Sequence, residues 1–148
     1  MPHRSVYHEI VLEHHRHPRN FGVLPQWTHA ADGINALCGD RLRIELECRD
    51  GKIATLRFCG EACAIAIASA SMMTEAVTGL DAERVSDLAG RLRAVIEGTI
   101  ERDEALGPLN SLAPLRPHAA RRKCAMLAWA TLHAALAGAA AATTETGE

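Results

Sequence analysis

The sequence predicts an α+β domain. Three observations carry that expectation: a stretch of strict apolar–polar alternation, an Asp-Gly turn folding it back on a second stretch, and four segments with apolar residues at helical spacing. The length, 148 residues, suits a single domain able to bury roughly 70% of the surface its unfolded chain exposes.

The elements follow in order. Ser5 is a fair N-cap, and Val6, Tyr7, Ile10, Val11 and His14 recur at helical spacing until Pro18 stops the first helix. From Pro18 to Asp40, Gly22, Pro25, Gly33 and Gly39 break up scattered apolar residues, which predicts one long loop. Between Arg41 and Arg49, Leu42, Ile44, Leu46 and Cys48 alternate with Arg41, Arg43, Glu45, Glu47 and Arg49, so one face of this strand is buried and one wet. Asp50-Gly51 is a strong hairpin signal leading into Lys52 to Cys59, with Ala54, Leu56 and Phe58 expected to face the same core until Gly60 ends the strand. Cys63 to Val77 is apolar nearly all round, hence a buried helix, with Gly79 as its stop. Asp81 caps a helix to about Gly98 with Val85, Leu88, Leu92 and Val95/Ile96 as its stripe. A connection punctuated by Pro108, Pro114 and Pro117 leads to a last helix, His118 to Ala137, stopped at Gly138. Residues 1–138 thus form the expected domain, and 139–148, poor in complexity, a flexible C-terminal tail.

Composition narrows the function. Sixteen Lys+Arg against eighteen Asp+Glu leave a net charge of -2, which supplies no cationic field to draw the protein onto nucleic acid or an anionic membrane. No window holds the roughly 18 uncharged apolar residues a span requires, and the start, Met1-Pro2-His3-Arg4, does not resemble a signal peptide. With an odd set of five cysteines, a disulfide framework is not expected, and a reducing, cytoplasmic setting is. The absence of GxSxG, Walker A and GxGxxG motifs removes the usual support for hydrolase, kinase and dehydrogenase readings, and Asp32, Glu101 and Asp103-Glu104 show no spacing for acid–base work.

The cysteines carry the chemistry. Cys48 takes an apolar slot in a strand and Cys59 ends one, where a small hydrophobe serves equally well, although Cys59, four residues before Cys63, could approach the same site. Cys38, Cys63 and Cys124 sit instead at junctions between elements, expected to be exposed, and Cys38-Gly39-Asp40 lets a thiol and a carboxylate bend toward one point. Together Cys38, Asp40, Cys63 and Cys124 make a three-sulfur, one-oxygen set suited to tetrahedral Zn2+ or iron. Three thiolates, a carboxylate and a divalent ion sum to about -2, which needs local compensation. A helix N-terminus at Cys63 and the run Arg121-Arg122-Lys123 before Cys124 could supply it. The alternative for that run is a solvated helical turn. No CxxC pair exists, so this is not a zinc finger, and donors gathered from distant segments need a prefolded scaffold. His14, His15 and His17 with Arg16 could form a metal patch but read as a solvated helix end.

Taken in order, His17-Pro18-Arg19-Asn20-Phe21-Gly22, Cys38-Gly39-Asp40, Phe58 to Ile65, Ala68 to Met73, and Arg121 to Leu127 with Trp129 resemble the iron–sulfur cluster assembly scaffold family of the NifU N-terminal, IscU and SufU type. The resemblance spans about Tyr7 to Leu136 and implies a small antiparallel sheet, about three-stranded, with helices packed on one face and a metal site at one exposed end. It points to the SufU branch: Cys63 and Cys124 lie 61 positions apart, implying an extra segment before the last helix, and Lys123 stands where IscU-like members have histidine. No LPPVK chaperone-docking motif occurs between Arg116 and Lys123, and Ala62 replaces the family's usual glycine.

The resemblance assigns metal ligation to Cys38, Asp40, Cys63 and Cys124, with Zn2+ as the expected ion. It implies a sulfur relay in which Cys38 attacks the persulfide of a SufS-type cysteine desulfurase, Arg121 steadies the anion, and downstream SUF proteins receive the sulfur. Two other functions use the same donors: a scaffold that assembles and transfers a [2Fe-2S] cluster, and a structural zinc module that only binds partners.

Overall fold

The long hairpin organises the fold. Strand β2 (Asp40–Arg49) turns through Asp50 and Gly51, both at positive φ of 54° and 76°, into β3 (Lys52–Glu61). This two-residue turn matches the twist of the strands. Leu42, Ile44 and Leu46 point into the core with Ile53, Leu56 and Phe58. Ala54, expected inside, is exposed. A bulge between Glu47 and Cys48 shifts the register so that Thr55 pairs with Glu47 and Ile53 with Cys48. Ala54 is the extra residue, and the pleat turns Ile53 inward in its place.

The computed structural model describes residues 6–144; the expected cap Ser5 and the last four residues of the expected tail lie outside them. Two stretches read as irregular are strands. Within the expected loop 18–40, β1 (His29–Asn35) pairs antiparallel with β2, from His29 opposite Leu46 to Asn35 opposite Asp40. Its sequence, His-Ala-Ala-Asp-Gly-Ile-Asn, has little intrinsic β preference, so pairing to an established strand decides its conformation. The expected tail is corrected likewise: β4 (Ala141–Thr143) runs parallel to β1, extending the ordered fold past Gly138. The sheet is therefore four-stranded and mixed, in the order β3-β2-β1-β4.

Among the described residues four helices complete the α+β fold: α1 (Val6–Arg16), α2 (Ala64–Val77), α3 (Ala82–Glu97) and α4 (Ala119–Leu136). The proline-punctuated connection is a 3-10 segment, Glu104–Leu115, burying Leu106, Leu109 and Leu112. On the apolar face of the sheet α4 lies over β1 and β2, α2 touches β3, and α1, α3 and the 3-10 segment pack against these helices. Low polarity all round α2 fits its place, with ten buried residues from Ala66 to Val77. Asp81 caps α3 by accepting from the Arg84 N–H, and Gly98 at φ 86° ends it. No helix among the described residues is long and apolar enough to cross a membrane.

His14 is buried, not on a solvated helix end as its surroundings suggested. Its Nδ1 lies 2.7 Å from Ser71 Oγ on α2, which also accepts the Arg19 N–H at 2.8 Å. This polar seam fastens α1 and the chain after it. Next along, Phe58 N–H donates to Asn20 O and Gly22 N–H to Phe58 O, covering the outer edge of β3.

Gly60 and Gly33 set close approaches. A Cβ on Gly60 (φ 138°) would strike the carbonyl oxygen of Arg41 on β2, and one on Gly33 would strike Thr131 Oγ1 of α4. Gly60→Ala is expected to cost more than about 2 kcal/mol in denaturant unfolding, since backbone cannot retreat as a side chain can. Gly90→Ala, on exposed helix with open space around it, should add about 0.5–1 kcal/mol. Equal effects would contradict the account.

Stability should also depend on His14. Burial, then the charge of Arg19, hold its pKa below the usual 6.5 against the weaker pulls of Glu75 and Glu13. The unfolded chain therefore takes up the proton first, so this contribution is full above about pH 6.5 and is lost as pH falls. His14→Gln should flatten the slope of melting temperature against pH in that window.

Candidate metal centre

The three junctions meet at one end of the sheet. Asn35 ends β1 opposite Asp40, which starts β2, and the turn between them carries Cys38. There Cys38 N–H donates to Asn35 O and Gly39 N–H to Ala36 O, both at 3.2 Å, and Gly39 adopts φ 72°. On the other side Arg41 pairs with Glu61 at the end of β3, two residues before Cys63, the N-cap residue of α2. The second turn of α4 brings Cys124 across from the helical layer.

Cys38 Sγ and Cys124 Sγ are 3.2 Å apart, and donor atoms of Cys38, Asp40 and Cys124 all lie within 4.8 Å of one another. Cys63, the fourth expected ligand, stands outside this close group and is linked to it through Asp40: its N–H donates to Asp40 Oδ1 at 2.8 Å, and its Sγ lies 3.9 Å from Oδ2. A tetrahedron with metal–ligand bonds of about 2.0–2.3 Å has edges of roughly 3.3–3.8 Å, close to the 3.2 Å between Cys38 and Cys124 and the 3.9 Å between Cys63 and Asp40.

Burial grades the set. Asp40 and Cys124 are buried, whereas Cys38 and Cys63 are half-buried. Cys124 thus departs from the exposed position expected of it, because its turn of α4 is covered by the sheet. A buried carboxylate must be compensated; Oδ1 of Asp40 has the Cys63 N–H, while Oδ2 faces sulfur. The donor chemistry, a carboxylate oxygen turned toward three thiols, fits Zn2+ or iron.

Shared hydrogen bonding and burial divide the two inner sulfurs. A hydrogen bond from Cys124, helped by the N–H groups of Ala66 and Ile65, brings the Cys63 pKa down to about 6 against the effects of burial and Asp40. Cys124 is pushed strongly up by the same bond, by burial and by its other hydrogen bonds. The pair keeps its proton on the deeper sulfur, leaving the thiolate at the N-terminus of α2. Arg121, exposed in the first turn of α4, hydrogen-bonds Cys63, and the charges of Cys63, Cys124 and Cys38 raise its own pKa. Its two neighbours do not share this role: Arg122 bonds the carbonyl of Arg116, and Lys123 lines a cavity with Arg93 and Glu97.

Cys59 is not among the close donors. It pairs with Arg43 across β3 and β2, on the face opposite Phe58, so the pleat points it away from the helices. Cys48 is half-buried against the core, and burial raises its pKa. Asn35, which the sequence reading missed, is fully buried beside Cys124. Recognising β1 would have exposed it, since Ala31, Gly33 and Asn35 alternate toward the core.

Residues 6–145 match the NifU-like N terminal domain family. Over 135 residues, 90% of each chain, this protein is 34% identical to the zinc-dependent sulfurtransferase SufU of Bacillus subtilis (strain 168). Over 133 residues it is 30% identical to the iron-sulfur cluster assembly scaffold protein IscU of Thermotoga maritima, spanning 90% of this chain and 94% of that one. The solved structure of a hypothetical protein shares the fold with a TM-score of 0.83 at 32% identity, covering 89% of this chain and 97% of its own.

In the metal-free protein, alkylation by iodoacetamide followed by peptide mapping should show Cys63 reacting with a midpoint near pH 6, well below the onset for Cys48. Equal profiles would contradict the division of charge.

Proposed function

Because the chain belongs to the NifU-like N terminal domain family of iron–sulfur cluster assembly proteins, we propose that it acts as a SufU-type sulfur acceptor. Zn2+ is held by Cys38, Asp40, Cys63 and Cys124, and persulfide sulfur arrives from a SufS-type cysteine desulfurase for downstream SUF proteins in the cytoplasm. The observation that carries this reading is the inequality of the donors. Asp40, Cys63 and Cys124 sit on a strand, a helix start and a helix, while Cys38 sits on a short turn beside exposed Leu37. Gly39, next in the chain, has no described residue beyond its chain neighbours within 4 Å of its missing Cβ. One thiol can therefore swing out while three donors stay. The name of the Bacillus subtilis relative supports zinc and sulfur transfer for this chain as well.

When bound, Zn2+ keeps its sulfur ligands deprotonated and quiet as nucleophiles. Cys38, freed by a donor group of the partner, attacks the outer sulfur of the partner's persulfide. A new S–S bond forms to Cys38, the partner's own S–S bond breaks, and its cysteine leaves as a thiolate. One thiolate and one persulfide are consumed and one of each produced, so no outside oxidant or reductant enters. Arg121, beside all three sulfurs, offsets the incoming negative charge. A [2Fe-2S] scaffold is the second reading, favoured by the same thiol-rich donors and by the name of the Thermotoga maritima relative.

Cys38→Ala, checked for fold and zinc content, should lose its stimulation of alanine release from cysteine by the desulfurase, and Arg121→Ala should lower it roughly tenfold, as for about 1.4 kcal/mol of lost charge stabilisation. Parent-like stimulation by folded, zinc-bound Cys38→Ala would overturn the relay. Anaerobic incubation with desulfurase, cysteine and ferrous iron separates the readings: sulfide-to-iron charge-transfer bands that move to an apo-acceptor would favour the scaffold.

A further inference from the structure

Asn35 touches the candidate centre in three ways. Its carbonyl accepts the Cys38 N–H at 3.2 Å, its backbone pairs with Asp40 across β1 and β2, and its side-chain Nδ2 lies 3.8 Å from Cys124 Sγ. It is fully buried, yet among the described residues its Oδ1 has no hydrogen-bond partner. A buried polar atom left unpaired costs stability that an apolar side chain would not, so packing does not account for an asparagine at this position. The amide turns its donor toward the sulfur, where a metal-bound thiolate has lone pairs to share and where an oxygen would repel it.

We propose that Asn35 is a positioning residue for the metal centre: its side-chain N–H holds Cys124 as a thiolate ligand, while its backbone anchors the turn from which Cys38 swings. This deepens the zinc reading and rests on it. The same residue thereby fixes the deepest sulfur and the hinge of the most open one, so the three-donor base keeps its shape when Cys38 departs. N–H donation lowers the energy of the sulfur lone pair and orients the ligand, as outer-shell partners of metal ligands do.

The test uses the full chain with Asn35→Ala and Asn35→Asp, and Cys124→Ser as control. Zinc dissociation constants are measured by chelator competition, thiolate-to-cobalt charge-transfer bands on Co2+-loaded protein, and melting temperatures on metal-free protein. Both Asn35 variants should bind zinc about 10- to 100-fold more weakly, Asn35→Asp the more so, and the cobalt bands should move to lower energy. The metal-free melting temperature of Asn35→Ala should stay near the parent's, since the orphaned Oδ1 goes with the amide. Parent-like affinity and bands in both variants, beside a defective Cys124→Ser, would overturn the role of Asn35 and leave the zinc reading standing. Parent-like zinc binding by Cys124→Ser would instead remove the ligand set itself.

Discussion

Backbone contact between β2 and β3 at the open end of their hairpin governs the rest of the molecule. At Gly60 the strands approach so closely that a Cβ would meet the Arg41 carbonyl, and this register sets Asp40 beside the chain that continues into Cys63. The Cys63 N–H then bonds Asp40 Oδ1, locking a strand start to a helix start through one buried carboxylate. Gly33 does for α4 what Gly60 does for β3, letting the helix lie close over β1 so that its Cys124 reaches the same end. Cys38, Asp40 and Cys124 converge, with Cys63 tied to them through Asp40, because two glycines remove the bulk that would hold the layers apart.

Electrostatics distribute the work among the donors. A cluster of thiols and a carboxylate is costly to bury, and the fold meets that cost unevenly. Asp40 has a backbone N–H, Cys63 has the N–H groups at the start of α2 and the Arg121 side chain, and Cys124 has the amide of Asn35. Cys38 has its own N–H pinned by Asn35, and from a short turn its half-buried sulfur lies 3.2 Å from Cys124 Sγ. Three of the four donors lie on regular elements and the fourth on a short turn, the arrangement that the proposed release of one ligand would use.

Much of this was legible in the residues. Strict alternation, Asp50-Gly51 and the Asp81 and Gly98 caps encode β2, β3 and α3 locally, and the structure bears them out. Cys38-Gly39-Asp40, Cys63 and Cys124 stood out because thiols at element junctions have no packing reason to be there. Long-range effects were not legible: β1 and β4 owe their conformation to pairing, and Ala54 is turned out by a bulge. His14 looked solvated in a run of polar neighbours, and only the docking of α1 on Ser71 buries it. Asn35 escaped notice because its burial depends on β1.

The central claim is that Cys38, Asp40, Cys63 and Cys124 act as one tetrahedral set. X-ray absorption fine structure on the zinc-loaded protein addresses it most directly. The account predicts three sulfur scatterers at about 2.3 Å and one oxygen at about 2.0–2.2 Å, with one sulfur lost in Cys38→Ala. A first shell dominated by nitrogen or oxygen, or one unchanged in Cys38→Ala, would contradict it.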